Sequence, residues 1–297
     1  MLPAHAWSPQ EKDVLARAAA RAPRRWLDDG WTLEFGRSEV VLREPLDELR
    51  WLSDRTGRAR LIACGGVLAH LEVAIRALGW VPEPVITAAV PAPDRIARVQ
   101  ASRRAPASRP TRDRYRAVFG HPACRGAAAG RGDAARELLR EIAFPAGVRV
   151  VTLPAGREQS LPQVGGLLRQ LYLCDELRGG GRFSFLVTTA GEARYELVRA
   201  GLVAQYLRLG AITRGLRGFV LTEPFAPPRV RRGLAAARGV PGVPQLLVVA
   251  RDHDTEPVQM HQRIRAVGSC PQAGSDGEDR GHACASVPAV AGTRKLR

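Results

Sequence analysis

The stretch that decides the fold is residues 61–80, which read LIACGGVLAHLEVAIRALGW. Its large apolar side chains recur at the spacing of one helical face, at positions 61, 67, 68, 71, 75 and 78. Gly79 then supplies a C-cap, so we predict a helix over residues 59–78. Gly65 and Gly66 lie in the middle, where a glycine costs about 1 kcal/mol relative to alanine. We therefore expect close packing of this helix against another backbone or a ligand.

The residues on either side predict a mixture of helices and strands. Ser8, Pro9 and Glu11 form a helix start, and residues 31–43 alternate like a hairpin. The other predicted elements are a strand at 85–90, a helix at 133–142, strands at 148–153 and 182–188, a helix at 192–214, a strand at 218–221, a helix near 228–238 and a strand at 245–250. Because no regular βαβ repetition is present, we predict an α+β fold.

The order of these elements is similar in two parts of the chain. We predict an N-terminal half over residues 1–90, a linker over 91–132 and a C-terminal half over 133–251. Arg, Pro, Ala and Gly dominate the linker, for which we expect a loop with one short helix at most. Residues 252–297 follow neither a helical nor a strand period, and we expect a disordered tail there.

The chain is strongly basic, with 45 Lys and Arg against 29 Asp and Glu in 297 residues, a net charge of +16. Lys12 and Lys295 are the only lysines, so 43 of the 45 cations are arginine. The whole excess lies in residues 95–131 and 194–238. Such charge is compatible with a nucleic-acid-binding protein. However, no zinc-finger, helix-turn-helix or RNP signature is evident, so we expect no specific nucleic-acid partner.

The sequence favours a cytoplasmic protein without a metal centre. Residues 1–10 lack the pattern of a secretory signal, and no run of about 18 apolar residues predicts a membrane span. The five cysteines are widely spaced and form neither a CxxC pair nor a zinc-type cluster. We therefore expect no metal and no membrane partner.

Three stretches resemble the Acg-type proteins of actinobacteria, a nitroreductase-like family. Residues 61–80 are similar to that family's first long helix, with its Cys-Gly segment and Leu-Gly-Trp ending. Residues 199–224 contain Arg-Ala-Gly, Gly-Leu and Thr-Glu-Pro in this order, with an uninterrupted predicted helix between the first two. They are similar to the family's second long helix and the segment that follows it. Residues 242–249 are similar to its Gly-x-Pro-Gln strand, and residues 109–114 match its Arg-rich Thr-Asp-Arg motif more loosely.

The resemblance implies a nitroreductase-like α+β fold of two pseudo-repeated halves that binds FMN, as a monomer or homodimer. In such proteins the flavin accepts hydride from NAD(P)H and passes it to a small-molecule substrate, a nitro compound or a quinone. Because the flavin carries the chemistry, no catalytic side chain is expected. The residues assigned to the cofactor on this basis are Arg21, Arg109, Thr111, Arg112, Arg114, Arg199 and Glu223. Arginines suit the flavin phosphate.

One part of the family pattern is replaced in this chain. The family's Ser, Asn and Gln contacts to the flavin correspond to Arg24, Leu27 and Asp29. Leu27 cannot form the hydrogen bond that an Asn would form. An alternative hypothesis is therefore a non-catalytic nitroreductase-like protein that sequesters flavin or has lost it.

Simpler roles stay open for the singled-out residues. The arginines of 109–114 fit a solvated charge run, Arg199 a helix-surface salt bridge and Glu223 a turn before proline. We expect His70 to be a packed or rim histidine and Cys64 a small buried residue. Three tryptophans are expected to anchor the core, and they are Trp26, Trp31 and Trp80.

Overall fold

A computed structural model describes residues 5–22, 31–44, 56–87, 94–120, 131–153 and 183–251. These residues form six α-helices and two four-stranded antiparallel sheets, which confirms the predicted α+β class. The helices are α1 (Pro9–Ala20), α2 (Arg58–Ala77), α3 (Arg109–Val118), α4 (Arg131–Arg140), α5 (Arg194–Thr213) and α6 (Pro228–Arg238). The strands are β1 (Thr32–Phe35), β2 (Glu39–Arg43), β3 (Trp80–Ile86), β4 (Arg95–Arg104), β5 (Val148–Leu153), β6 (Phe183–Thr189), β7 (Arg217–Leu221) and β8 (Val243–Arg251). A 3₁₀ turn, Glu223–Phe225, follows β7.

The two sheets have corresponding strand orders. The first runs β1-β2-β4-β3 and the second runs β5-β6-β8-β7. In the second sheet the inner strands β6 and β8 are buried along almost their whole length. One of their faces packs on the main core of the chain, and the other packs against α6 and the 3₁₀ turn. A strand that is covered on both faces needs a nearly continuous apolar sequence, as residues 246–250 and, apart from Ser184, residues 183–187 have.

The long helices α2 and α5 cross in direct backbone contact. A Cβ on Gly65 would overlap the carbonyl oxygen of Val198, and a Cβ on Gly201 would overlap the carbonyl oxygen of Ile62. Each of these glycines lies seven positions after the first residue of its 20-residue helix. The expected close packing at Gly65 is thus confirmed, and its partner is another helix. Only glycine fits at these two positions.

Buried polar contacts hold the N-terminal ends of both long helices. Glu44 directly follows β2 and is almost fully buried. Its carboxylate accepts hydrogen bonds from Arg60 Nε of α2 at 2.5 Å and from Arg194 Nη2 of α5 at 3.3 Å. Arg58 Nε of α2 donates to Gln245 Oε1 of β8 at 3.1 Å. A buried carboxylate between two guanidinium groups is costly to break, so these contacts hold the helices in register with the sheets.

Most predicted elements are confirmed at their predicted places. Ser8 and Glu11 form a capping box at α1, with Ser8 Oγ accepting from the Glu11 amide at 3.2 Å. β1 and β2 form the predicted hairpin. Trp31 and Trp80 are partly exposed and pack against the main core. Trp26 and the predicted tail at 252–297 lie outside the described residues. The predicted domain boundaries stay predictions.

Two local predictions are wrong. The expected loop at 91–132 contains the ten-residue strand β4 as well as α3. Its apolar residues Ala97, Val99 and Ala101 alternate inward and are fully buried, but the arginines of this strand conceal the period. The strand predicted at 85–90 begins earlier, as β3, Trp80–Ile86, and positions 88–90 lie outside the described residues. Pro82 and Pro84 lack the N–H that a central strand requires, but β3 is an edge strand, where a missing N–H is tolerated.

Replacement of Gly65 by alanine tests the helix crossing. We expect Gly65→Ala to lower the free energy of unfolding by about 2–3 kcal/mol, because the new methyl group forces the helices apart. Gly66→Ala is the matched control, since its Cβ would meet nothing closer than the Gln205 Cβ at 4.0 Å. That substitution should raise stability by up to about 1 kcal/mol. Denaturant unfolding of both variants measures the difference, and equal effects would contradict the crossing.

Candidate functional site

A cleft of about 270 Å³ lies between α2, α5 and β7. Small residues of α2 line one side, and they are Ala59, Ala63 and Gly66. Phe219 and Val220 of β7 line another side. Ile62 of α2 also lines the cleft, but the three small residues do not fill the space beside the helix crossing, so an apolar cavity with few polar groups is left. Such cavities are the usual form of a small-molecule site.

Three polar side chains line the cleft. Gln205 and Arg208 project from α5, and Thr222 directly follows β7. On α5 the positions of Gly201, Gln205 and Arg208 differ by four and three, which places them on one helical face. The polar groups of the cleft therefore come mainly from a single helix.

Arg208 is held by one hydrogen bond to the backbone of β7. Its Nε donates to the Gly218 carbonyl at 3.1 Å. A Cβ on Gly218 would lie 2.9 Å from the Arg208 Cγ, so glycine allows β7 to approach α5 this closely. In the part of the chain that the structure describes, no carboxylate pairs with Arg208. Burial lowers the pKa of this guanidinium, and no neighbouring acid offsets the effect. Its terminal nitrogens keep free donors beside the cleft.

Gln205 is held by a chain of contacts to α1. His70 of α2 is fully buried, with Nδ1 at 2.9 Å from the Ala18 carbonyl oxygen and Nε2 at 2.6 Å from Gln205 Nε2. A carbonyl oxygen only accepts, so Nδ1 carries the proton. Burial lowers the pKa of His70 to about 4, so the ring is neutral at pH 7. Nε2 therefore accepts from the Gln205 amide. The expectation of a packed His70 is confirmed.

The residues that the resemblance assigns to flavin lie elsewhere. Four of them, Arg109, Thr111, Arg112 and Arg114, are on α3. Arg109 is 88% exposed and pairs with Asp113 at 3.9 Å. Thr111 is held through its amide and hydroxyl by the N-cap residue Ser108. Arg112 donates to the carbonyl of Ala107. These contacts are those of a capped surface helix.

The other assigned residues make separate structural contacts. Arg114 Nη2 donates to Glu141 at 2.9 Å, and Arg199 Nη1 donates to the Ala146 carbonyl at 3.0 Å. The Arg21 guanidinium lies 5.8 Å from the ring centre of Phe119 at the end of α3. Glu223 Oε2 accepts from the Thr222 amide at 3.1 Å. Of the seven assigned residues, Glu223 alone is a chain neighbour of a cleft residue.

These placements do not make a flavin site by themselves. FMN requires cationic donors for its phosphate beside an apolar slot for its ring. Among the described residues, the assigned arginines contact acids, carbonyls and a ring at separate places, and none of them lines the cleft. Positions 24, 27 and 29 lie outside the described residues. No step through a flavin is derived from this set.

Sequence reasoning missed the polar residues of the cleft, Gln205, Arg208 and Thr222. A signal for two of them was present, because few polar side chains interrupt the buried helix α5, and Gln205 and Arg208 share the face of Gly201. The contact between Gln205 and His70 had no such signal. The two residues are 135 positions apart, and neither carries a local pattern.

Cys64 is buried in α2 near the helix crossing. Burial raises the pKa of its thiol to about 12, so the thiol stays protonated at neutral pH. A protonated, enclosed thiol is a poor nucleophile. The expectation of a small buried residue is confirmed.

No protein-family model matches the chain, and no curated protein matches it. Within the described ranges, no three His, Cys, Asp or Glu side chains group so that they could hold a metal ion. None of the helices described is both long and apolar enough to cross a membrane.

His70 makes the stability of the protein depend on pH. The unfolded histidine binds a proton near pH 6.5, while the buried ring stays neutral down to about pH 4. The contribution of His70 to the free energy of unfolding should therefore be at its maximum above pH 6.5. It should fall by about 3 kcal/mol as the pH drops to 4. Urea unfolding across this range measures the loss. A His70→Gln variant lacks this group and should show a shallower slope, and equal slopes would contradict the assignment.

Proposed function

We propose that this chain is a nitroreductase-like protein that binds a small molecule in the cleft between α2 and α5. The cleft itself carries the proposal, because apolar walls surround three polar side chains that keep unused hydrogen-bonding groups. Arg208 retains donors, Gln205 retains its carboxamide oxygen, and the Thr222 hydroxyl has no partner among the described residues. Unused polar groups in a cleft favour a ligand that satisfies them.

The arrangement of the two sheets supports a nitroreductase-like fold of two pseudo-repeated halves. Each half places a 20-residue helix between the second and third strands of its sheet. Each sheet has its fourth strand between the second and the third. The two long helices then meet at equivalent glycines, Gly65 and Gly201. Two equivalent halves in one chain are what the resemblance to Acg-type proteins implies.

FMN is the cofactor that the resemblance implies, and we propose it as the first ligand to test. A bound flavin would supply hydride transfer from NAD(P)H to a nitro compound or a quinone. The contributions of the chain at the cleft are simpler. The apolar walls exclude water, and Arg208 offers donors to an electron-rich group. The alternative, a non-catalytic protein that sequesters flavin or has lost it, is favoured by the exposed positions of Arg109 and Arg112.

Titration of the purified protein with FMN, followed by flavin fluorescence, tests this proposal. We expect saturable binding, and we expect Ala63→Phe to weaken it at least tenfold. Ala63 is exposed and lines the cleft, so a phenyl ring there fills the space without entering the core. Ala236→Phe is the matched control, because Ala236 is exposed on α6 and does not line the cleft.

The outcomes separate the forms of the proposal. Bound FMN that NADPH reduces and a nitroaromatic compound reoxidises supports the oxidoreductase. Bound FMN that NADPH does not reduce supports sequestration, and no FMN binding leaves the form that has lost flavin. Equal FMN affinities of the Ala63→Phe and Ala236→Phe variants would rule out the cleft as the binding site.

A further inference from the structure

The carboxamide of Gln205 has one orientation that satisfies its neighbours. The neutral His70 ring presents a lone pair at Nε2, which takes a hydrogen from Gln205 Nε2 at 2.6 Å. A reversed carboxamide would place its oxygen against that lone pair. Gln205 is 2% exposed, and within the described ranges its Oε1 has no hydrogen-bond partner. The cleft therefore contains an oriented acceptor on a side chain that is almost fully buried.

The guanidinium of Arg208 is oriented as well. Its Nε is committed to the Gly218 carbonyl, which leaves the terminal nitrogens as donors. Arg208 lies one turn along α5 from Gln205, and both side chains line the same cleft. Side chains three positions apart on a helix are neighbours, about 5–6 Å apart at Cβ. A ligand in the cleft thus meets a donor and an acceptor side by side.

This pairing discriminates between classes of ligand. A carboxylate or phosphate would suit Arg208 but would place negative oxygen atoms near the Gln205 oxygen, which offers no donor. A cis-amide edge, –CO–NH–, satisfies both side chains, because its carbonyl accepts from Arg208 and its N–H donates to Gln205. The Thr222 hydroxyl lies in the same cleft and can donate to a second carbonyl. The apolar residues Ala59 and Val220 suit the rest of a planar ring.

We infer that the cleft binds a planar ring with a cis –CO–NH– edge, a lactam or cyclic imide, and that Gln205 and Arg208 recognise this edge together. The inference rests on the proposed function, because it requires a small molecule in the cleft. Two sources share this chemistry, the pyrimidinedione part of an isoalloxazine and a free pyrimidinedione of the uracil type. His70 acts as a positioning residue, because it sets the orientation of the Gln205 carboxamide.

Two pairs of probes that differ by one methyl group test the inference. Lumiflavin and 3-methyllumiflavin form the isoalloxazine pair, and 1-methyluracil and 1,3-dimethyluracil form the uracil pair. The second member of each pair lacks the imide N–H. We expect the full-length protein to bind the N–H form at least tenfold more tightly than its N-methyl counterpart, as measured by calorimetry or fluorescence. The pair that binds more tightly identifies the source of the ring.

Variants assign the discrimination to individual side chains. In Gln205→Met the preference for the N–H form should fall towards one, because the acceptor is gone. In Arg208→Met both members of a pair should weaken by the same factor, since each keeps its carbonyl. Arg232→Met is the matched control, because Arg232 is exposed on α6. If Gln205→Met does not fold, the ratio of the wild-type affinities for the N–H and N-methyl forms still tests the inference.

The outcomes keep the inference separate from the proposed function. Suppose that the wild-type protein binds both members of a pair equally and that Ala63→Phe weakens this binding. That result overturns the recognition of a cis-amide edge but leaves the cleft as a binding site. A preference that survives in Gln205→Met overturns the role of that residue. Binding that Ala63→Phe does not change overturns both proposals. The absence of binding to every probe overturns the inference about the cis-amide edge. Tighter binding of benzoate than of either N–H form would indicate a simple anion site and overturn the inference.

Discussion

The contact on which the rest of the structure depends is the crossing of α2 and α5 at Gly65 and Gly201. There each helix backbone touches the other, and no side chain can be inserted. The main core continues from this crossing to α1 on one side and to the strands of both sheets. Salt bridges from Glu44 to Arg60 and Arg194 then hold the N-terminal parts of the two helices. Close approach of two backbones gains dispersion contacts along the whole interface, which offsets the low helix propensity of glycine.

The same choice of small residues produces the cleft. The side of α2 that carries small residues extends to Ala59, Ala63 and Gly66. These residues face the cleft, whose other wall includes β7. Gly218 brings the backbone of β7 close to α5, and its carbonyl holds Arg208. The cleft is thus a consequence of how the long helices pack. Of its polar groups, Gln205 is oriented by His70, which lies behind the cleft, and Arg208 is oriented by Gly218, which lines it.

The large positive charge of the chain has mostly structural partners where the structure describes it. Glu141 pairs with both Arg114 and Arg214, at 2.9 and 2.7 Å. Asp94 and Glu34 pair with Arg43 at 2.7 and 2.8 Å. Arg208 differs, because its one described bond goes to a carbonyl and it lies in a cleft. The surface pairs are screened by solvent and contribute little individually, so charge alone is a poor guide to the site.

Local patterns in the sequence determined the helices α1, α2 and α5, the β1–β2 hairpin and the α+β class, because caps and apolar periods involve residues close along the chain. The glycines of α2 also indicated a close contact before its partner was known. Tertiary structure decided the rest. It selected Gly201 as the partner of Gly65, formed β4 from an arginine-rich segment, and joined His70 to Gln205 across 135 positions. In addition, Arg114 pairs with Glu141 in the fold, whereas no carboxylate among the described residues pairs with Arg208. These outcomes depend on which residues meet across the fold, and no local period or motif encodes such contacts.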